Sequence, residues 1–265
     1  MTPRTPFQIN RAVVFALLLR EMRSRFGQRR MGAFWMLAEP IIQLIFMVIL
    51  MGIFRGRGPT QGIPFPMFLL TGIAPFIMFR GVAMLIMEGL AANRGLFAYK
   101  QLTPMDTFVA RTIMQVSISS ISYLFVLAAF GWYGYDISVS RPLEWIGLLI
   151  VGIVMSFGLG MVFAVLADAI PESRTLVRFF FLALYFTSGA IFPVTSFPSY
   201  ILPYLSWNPY LHLIELIRES VFPFYKTLSV VSFSYVAITT AVLLCVGLGL
   251  FRVRKAKMLA IKGIT

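Results

Sequence analysis

Long apolar runs, broken by charges and turn residues, alternate along the chain with shorter polar stretches. They predict six membrane spans, at about residues 35–54, 64–87, 107–131, 143–167, 176–192 and 228–250. About 20 apolar residues in a helix cross a bilayer core of roughly 30 Å, so the fifth run is short for the task. Three other segments are patterned without spanning. In residues 7–26, Phe15, Leu18, Leu19, Met22 and Phe26 recur at spacings of three and four, with Arg11, Arg20, Arg23 and Arg25 placed for lipid headgroups. That pattern predicts an amphipathic helix lying in the membrane interface. The stretch 88–106, EGLAANRGLFAYKQLTPMD, offers Leu96, Phe97, Tyr99 and Leu102. These are too few to span but enough for a short docking helix that Pro104 would end. Residues 193–227 carry Pro193, Pro198, Pro203, Pro209 and Pro223 among aromatic and aliphatic side chains. This is too apolar for a free loop and too broken for a span, and it predicts short helices re-entering the outer leaflet. Irregular backbone is tolerated at such depth where protein buries it or where it lines a wet cavity.

Of the 265 residues, 59% are hydrophobic and 12% charged. Soluble domains carry roughly 25% charged residues, so composition excludes a soluble globular protein, and it excludes a disordered one for the same reason. The expected class is an all-α integral membrane protein. Net charge is +13, from 23 Lys and Arg against 10 Asp and Glu. Fifteen of the cations fall in residues 1–30, the stretch 88–106, Arg174 and the tail 251–265; Arg55, Arg57, Arg141, Arg218 and Lys226 fall on the other side. The bias predicts cytoplasmic termini, with the six-span domain at 31–250 between them. The basic excess is thus read as a topology signal, not as a nucleic-acid site. The apolar run from Val13 to Leu19 is followed by arginines instead of a small-residue cleavage site, so no signal peptide is expected. One cysteine, Cys245, and one histidine, His212, form neither a disulfide nor a metal site.

None of the five lysines follows a glycine, so no phosphate-cradling Walker loop is encoded. ATP energy would have to come from another chain, and no cofactor is expected in this one. No catalytic set stands out. Glu39, Arg80, Glu88 and Arg111 fall inside or at the ends of predicted spans, where a charge costs roughly 2.5–3.5 kcal/mol on insertion scales and usually pairs or faces a polar cavity. The expected pairing is Glu39 with Arg80 or Arg111. Trp35, Trp132, Tyr133, Tyr135, Trp145 and Trp207 read as an interfacial aromatic belt. Phe179, Phe180, Phe181, Tyr185 and Phe186, in the fifth span, suit either lipid contact or a track on which sugar rings stack. Glu215 precedes Arg218 by three residues, the spacing of a helical ion pair. The outer cations could attract an anionic polymer, meet lipid phosphates or pair locally.

Three stretches carry a resemblance: REMRSRFGQRRMGAFWMLAEP at 20–40, NRGLFAYKQLTPMD at 93–106 and WNPYLHLIELIRE at 207–219. Together they resemble the membrane subunit of type-2 ATP-binding-cassette exporters, and within that group the KpsM-like capsular-polysaccharide export permeases of Gram-negative bacteria. The resemblance implies a homodimer in the bacterial inner membrane, with two separate ATPase subunits holding ATP and magnesium. It implies that the interfacial helix, with Arg20, Arg23, Arg25 and Phe26, and a coupling helix, with Arg94, Leu96, Phe97 and Tyr99, contact those subunits. It places a canal between protomers and a periplasmic gate at Trp207, Asn208, Pro209, His212, Glu215 and Arg218. The implied cargo is a lipid-linked polysaccharide, passed on to a periplasmic co-polymerase and an outer-membrane channel. Alternatives are export of an O-antigen, a teichoic-type glycan or a lipophilic drug. From other classes come a membrane-embedded glycolipid transferase and a non-enzymatic scaffold.

Overall fold

The structure, a computed structural model, describes residues 6–26, 32–55, 62–98 and 102–259. Among these residues it is all-helical. The α-helices are α1 (Pro6–Phe26), α2 (Gly32–Arg55), α3 (Phe65–Ala92), α4 (Pro104–Trp132), α5 (Pro142–Ala169), α6 (Ser173–Thr187), α7 (Leu202–Leu205), α8 (Pro209–Val221) and α9 (Phe233–Leu259), with 3-10 turns at Arg94–Ala98 and Val194–Ser196.

The helix starts follow from local chemistry. Proline, which lacks the N–H that a first turn leaves unpaired, stands in the first turn of α3, α4, α5, α7 and α8. At α4 the Thr103 hydroxyl accepts from the Asp106 backbone N–H while the Asp106 carboxylate accepts from the Thr103 N–H, a reciprocal cap.

Among the described residues four helices are long and apolar enough to cross a membrane: α3, α4, α5 and the Phe233–Lys255 part of α9. With 24 residues α2 is about 36 Å long, and its apolar stretch covers Ile41–Leu50. The fifth expected span is corrected. Helix α6 has 15 residues, about 22 Å, and stops at Thr187 well before 192. Ser188 turns its hydroxyl back onto the Tyr185 carbonyl at 2.8 Å, and Gly189 takes a left-handed φ of 71°. A helix cannot continue through that geometry.

Helix α3 is the most buried of the four long apolar helices, packed against α2, α4, α5 and α8. The Phe79 ring meets Gly152, and Ile86 meets Gly160, so α3 and α5 run in the same direction. Helix α9 follows α5: a Cβ on Gly158 would lie 2.9 Å from the backbone at Leu243 and Leu244, and the Arg254 guanidinium approaches the Val165 carbonyl. Small residues here let the backbones approach, as is common between membrane helices. Helices α2 and α4 run opposite to α3. The bundle therefore has two ends: one gathers α1, the start of α4, the ends of α3, α5 and α9 and the start of α6; the other carries the end of α8 and the start of α5.

Candidate functional site

The α1 end holds a buried polar clamp. Glu21 is the sole acid of α1, and its Oε1 accepts from Arg111 Nε and Nη2, both at 2.9 Å, and from Asn93 Nδ2 at 3.1 Å. Arg111 Nη1 donates to the Leu85 carbonyl at 2.9 Å, Asn93 Nδ2 also donates to the Gly89 carbonyl, and Arg20 donates to Asn93 Oδ1. Further along α1, Asn10 donates to the Asp106 carboxylate at 3.4 Å. Helix α1 is thereby fastened across the end of α3 and the start of α4. The expected Glu39–Arg111 pairing is replaced by Glu21–Arg111, because α1 lies across Arg111 while the Glu39 side chain is exposed on α2. Arg23 is exposed; the side chains of Arg25 and Phe26 lie outside the described residues.

Next to the clamp, the 3-10 turn is pinned twice. Arg94 Nη2 meets Asp168 Oδ1 of α5 at 2.7 Å, with the arginine half exposed. Phe97 is buried in a cluster with Ile86 and Leu90 of α3, Phe108 of α4, Met161 of α5 and Phe251 of α9. Phe97 was expected at a docking surface; it points inward instead, since an apolar pocket at the meeting of four helices accepts it. Tyr99 and the Leu96 side chain lie outside the described residues. Close by, Arg178 of α6 pairs with Glu88 of α3 at 3.2 Å.

Within the bundle, α6 and α8 behave as one broken helix. Asn208 is fully buried between them. Its Nδ2 donates to the Leu184 carbonyl at 3.1 Å and to Thr187 Oγ1 at 2.9 Å, and its Oδ1 caps α8 by accepting from the Tyr210 N–H at 3.0 Å. The one side chain thus serves the end of one helix and the start of the next. Pro209 follows in the first turn. The Tyr210 hydroxyl shares a 3.0 Å hydrogen bond with Ser156, near the middle of α5, and its ring packs on Phe76, Phe79 and Phe181. At the far end of α8, the Ser220 and Val221 carbonyls accept from the Arg141 and Ser140 N–H groups at the start of α5. Helix α8 therefore lies along the half of α5 remote from α1.

Arg218 is buried completely. Nη1 meets Glu215 Oε1 at 3.0 Å, the local pair expected from the spacing, and Nη2 donates to the Ala190 carbonyl at 3.1 Å and the Phe68 carbonyl at 3.3 Å. Its guanidinium carbon stands 3.6 Å over the Phe68 ring. Gly72 makes room for it: a Cβ there would sit 2.3 Å from Arg218 Nη2. The Tyr225 hydroxyl completes the group on Glu215 at 2.8 and 3.0 Å, and burial together with the Glu215 carboxylate pushes its pKa above the ordinary phenol value. His212 donates from Nε2 to the Ser206 carbonyl at 2.7 Å and accepts at Nδ1 from the Ser232 N–H at 3.2 Å, which assigns the neutral Nε2–H tautomer. Trp207 is exposed, with its carbonyl taken by the Tyr235 hydroxyl at 2.6 Å.

The aromatic candidates of α6 divide. Phe179 and Phe180 are exposed, whereas Phe181 and Tyr185 are buried in the core. The latter two are corrected from canal to packing residues, because α6 turns that side onto Phe163, Phe76 and Tyr210. Sequence reasoning missed Glu21, Asn93 and Asp168. The lone acid of an otherwise basic helix was the one available signal for Glu21; of the expected apolar face of that helix, Phe15 and Leu19 are exposed. Among the described residues no group of three His, Cys, Asp or Glu could hold a metal ion.

The amino-acid sequence has relatives. The ABC-2 type transporter family profile matches residues 12–222. The polysialic acid transport protein KpsM of Escherichia coli is 34% identical over 256 residues, covering 97% of this chain and 98% of that protein. The capsule polysaccharide export inner-membrane protein CtrC of Neisseria meningitidis serogroup B is 26% identical over 220 residues, 81% of this chain and 80% of CtrC. BexB of Haemophilus influenzae, which carries the same description, is 26% identical over 216 residues, 79% of each chain. A multi-pass helical bundle matched across most of its length in this way belongs to the ABC-2 type transporter family.

Proposed function

We infer that the chain is the membrane subunit of an ATP-driven exporter that moves a lipid-anchored capsular polysaccharide across the bacterial inner membrane. Two copies form the canal between them. Two separate ATPase subunits bind ATP and magnesium, and the polymer passes on to a periplasmic co-polymerase and an outer-membrane channel. The α1 end faces the cytoplasm, in line with the distribution of Lys and Arg. Six crossings result when α6 and α8 together make the fifth. The cargo assignment is supported by the likeness to KpsM over nearly the whole chain.

The observation that carries the reading is the rigid platform at the α1 end. The 3-10 turn and α1 lie on the surface, yet Phe97, Arg94–Asp168 and Glu21–Arg111 fasten them to the ends of α3, α4, α5 and α9. A partner that pushes on either element moves the bundle. Surface elements held this way transmit force; flexible connectors would absorb it.

The test is to purify the chain with candidate ATPase subunits, measure stoichiometry and ATP hydrolysis, and delete the gene in its host. A complex of two plus two subunits and loss of surface polysaccharide are expected. Unaided transport by the chain alone in vesicles, or termini on opposite faces by protease mapping, would overturn it.

A further inference from the structure

Helix α3 carries a cation near its middle. Arg80 lies about 22 Å from the first residue of α3 and about 18 Å from the last, at 1.5 Å per residue. Two arginines buried in the bundle have carboxylate partners, Arg111 with Glu21 and Arg218 with Glu215, and the exposed Arg178 pairs with Glu88. Arg80 makes no hydrogen bond and no ion pair among the described residues, and it is partly exposed. Charge at the centre of a bilayer is costly, and ionisable residues there turn to a partner or to a water-filled path.

The surroundings of Arg80 say which way it turns. Ile77, Arg80, Met84 and Glu88 are all partly exposed and fall three or four residues apart, so they form one open strip along an otherwise buried helix. On one side the strip is bordered by α6, through Arg178 on Glu88 and through Tyr185, whose buried hydroxyl has no hydrogen-bond partner among the described residues and lies within electrostatic reach of Arg80. On the other side stands α2, where Leu44 shares a small cavity with Ala74 and Ile77 and with Ser119, Ser122 and Tyr123 of α4. A strip with a charge at mid-depth, between two flanking helices, is unsuited to lipid.

We propose that the strip Ile77, Arg80, Met84 lines the canal and that Arg80 binds an anionic group, carboxylate or phosphate, of the polymer in transit. This rests on the export reading and adds to it a residue and a substrate charge. A guanidinium matches either oxyanion with paired N–H groups. One such contact at mid-path lets a polymer enter without trapping it, as conduction requires. Two sources of the group are distinguishable: acidic sugars along the chain, or the phosphate of its lipid anchor. A rival partner also exists. Helix α2 runs opposite to α3 with Leu44 beside Ala74 and Ile77, so the exposed Glu39 falls near the depth of Arg80 and, from a second copy, would neutralise it.

The experiment uses the full exporter in its host membrane, with surface polymer normalised to the amount of permease present. Arg80→Gln is expected to slow delivery of an acidic polymer about ten-fold or more, and Arg80→Lys by less than about three-fold. Delivery by Arg80→Gln at the wild-type rate overturns the proposal. If the Arg80→Gln defect disappears with a neutral polymer on the same anchor, the sugar acids are the ligand; if it persists, the anchor phosphate is. Restoration of export by Arg80→Glu combined with Glu39→Arg, when each alone fails, overturns it in favour of an ion pair between copies. A second readout does not depend on export. With Cys245→Ser removing the single native thiol, Arg80→Cys should react with a charged, water-borne thiosulfonate, and Ile121→Cys on the exposed side of α4 should not. An unreactive Arg80→Cys overturns the canal placement. Loss of the export reading itself shows differently: deletion of the gene leaves surface polymer unchanged.

Discussion

Glu21 and Arg111, 90 residues apart in the chain, meet at 2.9 Å in a site where both side chains are less than a tenth exposed. The pair joins a helix lying across the bundle to a helix running through it. Coulomb attraction in such a place works against a large desolvation cost, and what makes the arrangement viable is that each of the three guanidinium nitrogens has an acceptor, in Glu21 or Leu85, while Asn93 gives Glu21 a further donor. Removing one partner leaves a buried charge alone, which costs about 3–5 kcal/mol. Glu21→Ala should therefore lower the melting temperature of the detergent-purified protein by several degrees. Glu21→Leu combined with Arg111→Met should lose less than the sum of the single changes. Glu39→Gln, at an exposed position, should leave the melting temperature in place; an equal loss there would make Glu39 the partner after all.

The platform also separates two kinds of contact that sequence alone ranks together. Arg94–Asp168 is partly exposed, and pairs of that kind contribute about 0.2–1 kcal/mol. Phe97 fills a pocket shared by four helices, and truncating such a ring to Ala costs about 3–5 kcal/mol. Arg94→Ala should thus barely change stability, whereas Phe97→Ala should destabilise the α1 end. Phe97→Leu keeps most of the burial while loosening the fit. It is expected to preserve assembly with the ATPase subunits and to reduce the polymer exported per ATP hydrolysed. Equal export per ATP in Phe97→Leu and the parent would remove Phe97 from the proposed coupling route.

Legibility from sequence followed the range of the interaction. Helix positions were readable because apolar runs are local, but the meaning of a proline was not: Pro104, expected to end a docking helix, instead stands in the first turn of α4, and the 3-10 turn before it ends at Ala98. Glu215–Arg218 was readable because three residues on a helix put two side chains on one face. The Glu21–Arg111 clamp was not, since nothing local says which buried arginine a surface helix will cover. The burial of Phe181 and Tyr185 beside the exposed Phe179 and Phe180 depends on how α6 is rotated, and a run of aromatic residues has no evident face. The end of α6 at Thr187 was missed for a related reason: apolarity continues to Phe192, but Ser188, Gly189 and the buried Asn208 redirect the backbone.

Asn208 is where that redirection is held. Substitution by Ala removes an N-cap, worth about 1 kcal/mol, and leaves Tyr210 N–H, Leu184 O and Thr187 Oγ1 short of a partner in a buried site, at about 1–3 kcal/mol for an unsatisfied group. Asn208→Asp keeps the acceptor for Tyr210 but turns a carboxylate oxygen toward the Leu184 carbonyl. It should be at least as damaging as Asn208→Ala, although aspartate caps helices well. Thermal unfolding of the purified variants checks the order. An aspartate variant as stable as the parent would mean that the bond to α6 carries little of the site's energy.

Gly72 offers the sharpest steric test of the far end of the bundle. An added Cβ would lie 2.3 Å from Arg218 Nη2, 2.6 Å from the Ala190 carbonyl oxygen and 2.9 Å from the Ala190 Cα. The guanidinium is the tip of a flexible side chain and can retreat, but retreat breaks its bonds to Phe68 and Ala190 and takes it off the Phe68 ring. The Ala190 backbone cannot retreat without disturbing the turn at Gly189 that ends α6. Overpacking a tight site costs about 1–3 kcal/mol, so Gly72→Ala should destabilise by that much or more. Arg218→Met should relieve only the first clash while leaving Glu215 buried with Tyr225 as its remaining donor. The double variant is therefore expected to stay below Gly72→Ala alone in melting temperature. Recovery to the parent value would show that the Ala190 contact is soft and that the arginine alone sets the need for glycine.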